Sequence, residues 1–256
     1  MLLKDKIAVI TGAASGIGQA TAMLFAHHGA KVICVDDQPA RETLELLRQK
    51  KLDADCYHAD VSNSEQIQAV ARECGKTVPK VDILFNNAGR VRHQAFEATT
   101  EETWSEMIGV NLTGEFLCAK HFLPLMKKAG SGCIINHASI DGFLGNPAIA
   151  AYSAAKGGLI PLTHVMAHDL GKYNIRVNCI SSGGIVTQRN VKAIGSGVAG
   201  QSRIAVTPLQ RRGTAEEVAY VALFLAANWS SYVNGANIVV DGGRTAITQG
   251  TYHGYD

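Results

Sequence analysis

The sequence predicts a doubly wound α/β fold: a seven-stranded parallel sheet with helices on both faces, in one domain over residues 1–256. Short β-branched runs alternate with longer segments whose apolar residues recur three and four positions apart. No internal repeat, low-complexity tract or break in composition divides the chain. Its residues are 46% hydrophobic and 18% charged, which is typical of a packed domain. Regular alternation of strands and helices is the pattern of a Rossmann-like sheet.

The short runs rich in Val and Ile predict strands over residues 7–10, 31–35, 53–58, 81–85, 132–136, 175–179 and 237–240. Apolar residues at helical spacing predict helices over residues 17–28, 65–74, 104–127, 152–170 and 215–227. Residues 188–210 contain three glycines and no clear period. They are predicted to form a substrate lid, although a poorly patterned surface helix explains them equally well.

Charge and composition exclude several classes of protein. Lys and Arg number 24 against 22 Asp and Glu, and the basic residues are scattered, so a nucleic-acid partner is not expected. The longest apolar stretch, residues 218–227, is about half of what a membrane span needs. The six cysteines lie far apart without the spacing of a zinc knuckle or redox dithiol. We therefore expect no metal and a reduced, cytoplasmic setting.

A glycine-rich loop, TGAASGIG at residues 11–18, connects the first predicted strand to the first helix. Glycines let the backbone turn sharply and approach a ligand, and the helix N-terminus offers N–H groups to a pyrophosphate. The spacing of Gly12, Gly16 and Gly18 is not G-x-G-x-x-G, and a glycine-rich turn is as often a simple tight connection. The loop by itself therefore leaves both interpretations open.

An aspartate, Asp36, directly follows the second predicted strand. A carboxylate there can accept hydrogen bonds from both ribose hydroxyls of an adenosine and would repel a 2′-phosphate. The structural alternative is a turn or N-cap aspartate, which is how we interpret Asp37. Because no Lys or Arg follows until Arg41, the pattern favours NAD over NADP.

A tyrosine and a lysine, Tyr152 and Lys156, stand four residues apart on a predicted helix, so they share one face. A nearby ammonium favours the phenolate form, which makes Tyr152 usable as a general acid or base. Ser139 ends a strand region and can hydrogen-bond a reacting oxygen. The alternatives are a turn-capping Ser139 and a surface Tyr152. His137 is interpreted as a buried strand histidine, and the absence of a G-x-S-x-G motif disfavours a hydrolase.

From Lys4 to about Gly243, the chain resembles the short-chain dehydrogenase/reductase family in its compact form. The motifs that carry this resemblance, in chain order, are TGAASGIG at 11–18, Asp60 and Val61, NNAG at 86–89, Asn111, Ser139, Tyr152 with Lys156, and VDGG at 240–243. Their order and spacing together are specific, although each motif alone is weak.

The resemblance implies that Asn111, Ser139, Tyr152 and Lys156 are catalytic, with Asn111 kinking its helix and holding a water that links Lys156 to solvent. It implies an NAD site in which Asp60 touches the adenine and the loop after the sixth strand covers the nicotinamide. The expected cofactor-binding residues are Gly12, Ser15, Gly16, Ile17, Gly18, Asp36, Asp60, Val61, Asn87, Ala88, Gly89, Tyr152, Lys156, Ile185 and Thr187. Ser182 stands where the family usually has proline.

These patterns together predict an NAD-dependent oxidoreductase that interconverts a secondary alcohol and a ketone. The family's substrate-facing stretches are largely polar here, which favours a sugar, sugar acid or hydroxy acid. The candidate substrate contacts are Arg92, Gln94, Asp141, Asn146 and Arg189. Arg90 and Arg92 pointing to solvent at the rim is nearly as good an interpretation.

Three alternatives remain open at this stage: a reductase of a less polar steroid or 3-oxoacyl ketone, a non-catalytic NAD-sensing protein, and a structural subunit. The resemblance also implies a homotetramer that pairs the helices beginning near Trp104 and Tyr152. The C-terminal tail, residues 244–256, carries aromatic residues that suggest docking on a neighbouring subunit, although a frayed terminus is at least as good an explanation.

Overall fold

The computed structural model describes residues 1–187 and 205–246. Its main sheet consists of strands β1 Ile7–Thr11, β2 Lys31–Asp36, β3 Ala54–His58, β4 Ile83–Asn86, β5 Gly132–Ser139, β6 Ile175–Ser182 and β9 Asn237–Val240. The strands lie in the order β3-β2-β1-β4-β5-β6-β9, and every neighbouring pair is parallel. A separate pair, β7 Ile185–Val186 and β8 Gly213–Thr214, follows the end of β6. The predicted seven-stranded parallel sheet is confirmed.

The helices in the described residues are α1 Gly16–His27, α2 Arg41–Gln49, α3 Ser64–Thr77, α4 Glu101–Ile108, α5 Gly114–Lys128, α6 Asp141–Leu144, α7 Ala150–Gly171 and α8 Ala215–Ala226. Short 3₁₀ turns lie at Phe96–Ala98 and Asn228–Ser230. Helices α2 and α6 were not predicted. Only Thr43 and Leu47 of α2 are buried, and α6 is a single turn, so neither carries a long apolar stripe.

Helices cover both faces of the sheet because successive side chains of a strand point to opposite faces. On β1, Val9 packs in one apolar cluster with α3 and α5, whereas Ala8 and Ile10 pack in the other with α1 and α8. Parallel strands buried on both faces need apolar residues at consecutive positions, which is what these short runs supply. The core therefore lies in two layers, with the sheet between them.

The carboxyl ends of β5 and β6 extend three residues further than predicted. β5 and β6 run on to Ser139 and Ser182, which are register partners of each other. The polar residues there do not look like strand formers in sequence, but the neighbouring strands continue the hydrogen-bonded ladder. Both serines are thus held by the sheet at the edge where ligands bind in open α/β folds.

The predicted helix over 104–127 is present as α4 and α5, joined by a π-helical turn at Gly109–Thr113. No helix in the described ranges is long and apolar enough to cross a membrane. Within the same ranges, no three His, Cys, Asp or Glu side chains gather as a metal site. Arg189, most of the predicted lid and tail residues 247–256 lie outside the described residues.

Candidate active site

A cavity of about 510 Å³ lies at the carboxyl edge of the sheet, between β1, β4, β5 and β6. The strand order reverses between β1 and β4, which is where dinucleotides bind in this architecture. The predicted residues that line the cavity are Gly12, Ser15, Gly16, Ile17, Asp36, Asp60, Val61, Asn87, Ala88, Gly89, Asn111, Ser139, Asp141, Tyr152, Lys156, Ile185 and Thr187. The structure thus brings the expected catalytic and cofactor-binding residues to one place, with Gly18 as the exception.

The glycine loop is packed too tightly for side chains. A Cβ at Gly12 would lie 2.9 Å from the Cα of Ala88, and Gly12 has a positive φ of 66°. A Cβ at Gly18 would lie 2.1 Å from the carbonyl oxygen of Gly12, so Gly18 closes the loop onto α1. Ser15, the N-cap of α1, makes no side-chain capping bond. The helix N-terminus therefore faces the cavity as an anion cradle that fits a pyrophosphate.

Asp36 is fixed at the cavity wall by two backbone amides. Its Oδ2 accepts a hydrogen bond from the N–H of Ala14 at 2.8 Å, and its Oδ1 accepts from the N–H of Gln38 at 2.9 Å. Burial raises the pKa of this carboxyl, and the two amides oppose that effect. The nearby guanidinium of Arg90 is paired with Asp37 and with Glu106. The positive charge of Arg90 is thus offset by two carboxylates. Arg90 is therefore poorly suited to bind a 2′-phosphate.

His137 ties the strands on either side of β5 together. Asn87 donates from Nδ2 to the carbonyl of Thr11, so its Oδ1 is the acceptor for His137 Nδ1, at 3.1 Å. The ring then carries its proton on Nδ1, and Nε2 accepts from the hydroxyl of Ser182 at 2.9 Å. Burial, together with the charge of Lys156, lowers the pKa of His137 to about 3. The interpretation of His137 as a buried strand histidine is confirmed.

The π-helical turn carries Asn111, so the helix irregularity implied by the resemblance is present. Asn111 Nδ2 donates to the carbonyl oxygens of Arg90 and Met107, both at 2.9 Å, and its Oδ1 accepts from the N–H of Arg90 at 3.1 Å. Its side chain therefore clamps the backbone that follows Gly89 at the cavity wall.

Ser139, Tyr152 and Lys156 meet at the inner end of the cavity. Ser139 Oγ accepts from the N–H of Asp141 at 3.1 Å, and no described acceptor takes its hydroxyl hydrogen. That hydrogen is thus available to a ligand oxygen. Tyr152 lies in the first turn of α7, with Lys156 one turn further on and 3% exposed. The two side chains share one face of the helix, as their spacing predicts.

Lys156 has a buried partner that the sequence reasoning missed. Its Nζ donates to Glu115 Oε1 at 3.0 Å and also to the carbonyl of His137. Glu115 is 3% exposed, and burial raises its pKa to about 7 although Lys156 opposes this shift. A signal existed: Glu115 stands one turn after Asn111 on the inward face of a mostly apolar helix.

The candidate substrate residues divide into two groups. Asp141 lines the cavity, and Asn146, which does not line it, donates from Nδ2 to Asp141 Oδ1 at 3.2 Å. Arg92 and Gln94 are not among the lining residues. The Arg92 side chain is 57% exposed and is paired through Nε with Glu106 at 2.8 Å, which places it on the rim. The interpretation of an arginine that points to solvent at the rim of the cavity therefore fits Arg92.

Comparison with known proteins places the chain in a family. A family model described as enoyl-(acyl carrier protein) reductase matches residues 12–245. An uncharacterised oxidoreductase of Bacillus subtilis is 42% identical over 96% of this chain and 93% of its own. A 3-oxoacyl-(acyl carrier protein) reductase of Thermotoga maritima is 40% identical, over 95% and 99%. An NAD-dependent glycerol dehydrogenase of Listeria innocua is 37% identical, over 95% of each chain.

Solved structures agree with this placement. A provisionally named gluconate dehydrogenase from Agrobacterium tumefaciens has a TM-score of 0.91 and 32% identity, over 96% of this chain and 98% of that one. A provisionally named 2-deoxy-D-gluconate 3-dehydrogenase from the same organism, with bound NADP, has a TM-score of 0.89 and 32% identity over the same shares.

The fold and the family match together define a Rossmann-type oxidoreductase that uses a nicotinamide cofactor. The chain belongs to the short-chain dehydrogenase/reductase family.

Proposed function

We propose that this protein is an NAD-dependent oxidoreductase that interconverts a secondary alcohol and a ketone on a small polar substrate. The observation that carries the proposal is that Ser139, Tyr152 and Lys156 share one cavity with the glycine loop and with the amide-held carboxylate of Asp36. NAD, when bound, supplies the hydride acceptor and its reduced form the donor.

In the proposed reaction, Ser139 donates its hydroxyl hydrogen to the reacting oxygen while its own oxygen is held by the N–H of Asp141. Tyr152 takes the alcohol proton during oxidation and returns it during reduction. Lys156 lines the same cavity one helical turn after Tyr152 and places a positive charge there. Asn111 holds the backbone at Arg90 and thereby keeps the cofactor wall in place.

For the cofactor, Asp36 supports NAD, because a fixed carboxylate accepts from ribose hydroxyls and repels a phosphate. The relative named an NAD-dependent glycerol dehydrogenase agrees with this choice. The structural neighbour with bound NADP is the reason to test both cofactors. The preference for NAD over NADP is therefore the measurement that tests this part of the proposal.

For the substrate, the wall beside Ser139 and Tyr152 includes His93 and Asp141. A carboxylate there can accept from a substrate hydroxyl, whereas an apolar ligand would leave it unpaired at a cost of about 1–3 kcal/mol. Among the described residues, Arg90, Arg92 and Lys156 each pair with a carboxylate. We therefore propose that a sugar, sugar acid or hydroxy acid binds through its hydroxyl groups. The relatives named gluconate and glycerol dehydrogenases support a hydroxyl-rich substrate.

A second candidate function is reduction of a 3-oxoacyl thioester, which is favoured by the 40% identity to a 3-oxoacyl-(acyl carrier protein) reductase. We also propose a homotetramer, because apolar side chains are exposed on the three helices expected at its interfaces: Trp104, Phe116 and Val165. A reducing, cytoplasmic setting fits the six free cysteines, of which only Cys56 is not buried.

The experiment is a steady-state screen of the purified protein with NAD and with NADP. The substrates are polyols, sugars, sugar acids, hydroxy acids, a steroid alcohol and a 3-oxoacyl thioester, and Tyr152→Phe is the control for background turnover. The proposal predicts the highest kcat/KM with NAD and a polyhydroxylated substrate. Activity confined to the thioester would establish the second candidate, and activity confined to the steroid would refute the polar-substrate claim.

A further inference from the structure

Glu115, the buried partner of Lys156, has no part in the proposed reaction. The exposed fractions of the two side chains are 4% and 2%, and their N–O distance is 3.0 Å. Removing two charges from water costs several kcal/mol per ion, so a buried pair is a weak device for stability alone. A carboxylate retained at that cost beside a proposed proton-transfer group needs a further explanation.

The pair is built into the scaffold on several sides. Asn86 at the end of β4 donates from Nδ2 to the backbone carbonyl of Glu115 at 3.2 Å, which anchors this turn of α5 to the sheet. Lys156 reaches the same place from α7 and also donates to the carbonyl of His137 on β5. Within the described residues, Glu115 Oε2 has no hydrogen-bond partner. Lys156 therefore holds the carboxylate at Oε1, and the backbone of His137 also favours its charged form.

Three further titratable groups lie near Glu115. They are Cys118 on its own helix, Cys179 on β6 and His137 on β5. Burial raises the pKa of both thiols, and burial lowers the pKa of His137 to about 3. Lys156 and Glu115 thus form the charged pair on this side of the cavity, and Tyr152 shares the cavity wall with His93 and Asp141.

We propose that Glu115 is a positioning residue: its buried carboxylate holds the Lys156 ammonium against the end of β5 and offsets part of the charge that Lys156 presents to Tyr152. This inference rests on the proton-transfer role proposed above for Tyr152. Without the carboxylate of Glu115, the ammonium of Lys156 would act on the phenol with its full charge.

The test is a spectroscopic titration of Tyr152 that needs neither substrate nor turnover. Phenolate absorbance is recorded against pH for the full-length protein, and the curve of the matching Tyr152→Phe protein is subtracted to remove the other tyrosines. Glu115→Gln keeps the size of the side chain and removes its charge. The Tyr152 midpoint should then fall by about one pH unit. Lys156→Met should move the midpoint in the opposite direction.

Two variants serve as controls. Glu73→Gln removes an equal charge from an exposed pair with Lys76 on α3 and should leave the midpoint unchanged. Glu115→Asp keeps the charge and should return the midpoint towards the wild-type value. An unchanged or raised midpoint in a folded Glu115→Gln protein overturns the proposal, because a purely structural role would alter stability without this shift.

If Glu115→Gln does not fold, infrared difference spectra of wild type minus Glu115→Asp give the second measurement. An ionised carboxylate band for Glu115 above pH 8 supports the proposal, and a band of the protonated acid there overturns it. Both readouts are independent of the substrate screen. Failure of that screen with every substrate would count against the proposed reaction, whereas the titration would still decide the role of Glu115.

Discussion

His137 makes a prediction about stability that can be worked out from its surroundings. In the folded protein, both ring nitrogens are engaged, and burial lowers the pKa from 6.5 to about 3. In the unfolded chain the ring regains its ordinary pKa. Below pH 6.5 the unfolded state therefore binds a proton that the folded state refuses, and the free energy of unfolding falls as the pH falls.

The magnitude follows from the two pKa values. Between pH 7.5 and pH 5.5, this single group should remove about 1.4 kcal/mol from the free energy of unfolding, and about 1.4 kcal/mol more per further pH unit until the pH approaches 3. His137→Gln cannot titrate, so its stability should decline less steeply with acidification. The absolute stabilities of the two proteins can differ without affecting this comparison of slopes.

The assay is urea unfolding at several pH values between 5.5 and 7.5, followed by circular dichroism. Every other titratable group is common to both proteins, so the difference between their slopes isolates His137. His168→Gln, which changes a histidine whose side chain is 90% exposed, is the matched control and should run parallel to wild type. Parallel curves for wild type and His137→Gln would refute the buried, neutral imidazole.

Four further predictions concern the site and the tail. The wild-type protein should prefer NAD to NADP by a few kcal/mol, and Asp36→Ala should narrow that gap chiefly by weakening NAD; equal kcat/KM with both cofactors would contradict this. Tyr152→Phe should abolish turnover and leave NAD binding nearly intact, whereas Lys156→Ala should impair both, as measured by kinetics and by cofactor titration. Arg92→Ala should leave the substrate KM unchanged, because its guanidinium pairs with a rim glutamate; a large rise in KM would return it to the substrate site. Deletion of residues 246–256 tests the tail, since unchanged KM and assembly would settle it as a frayed terminus and a loss of either would favour docking.

Much of the site was predictable because its residues stand in short motifs with a local physical reason. Gly12 needs a positive φ and a close approach to Ala88, and Asp36 ends a strand at the edge where ribose hydroxyls bind. Tyr152 and Lys156 share a helix face by spacing alone. The family's other positions reached the same cavity because the parallel sheet aligns the ends of its strands.

Other features depended on contacts between distant segments. Arg92 was a candidate substrate contact, but Glu106 from α4 pairs with it and also with Arg90. Ser182 stands where the family usually has proline, and its hydroxyl donates a hydrogen bond to His137 on the neighbouring strand. Neither relation has a fixed spacing along the chain, so no local pattern could indicate it.

The sequence by itself determined the parallel sheet, the glycine loop and the order of the motifs, because backbone preference and side-chain periodicity act over a few neighbouring residues. The tertiary structure alone decided which charges neutralise one another. Lys156 meets Glu115 only where α7 and α5 pack against β5, and burial there both strengthens the pair and shifts its protonation. Electrostatics in a protein depends on distance and on exclusion of water, and both are properties of the folded chain.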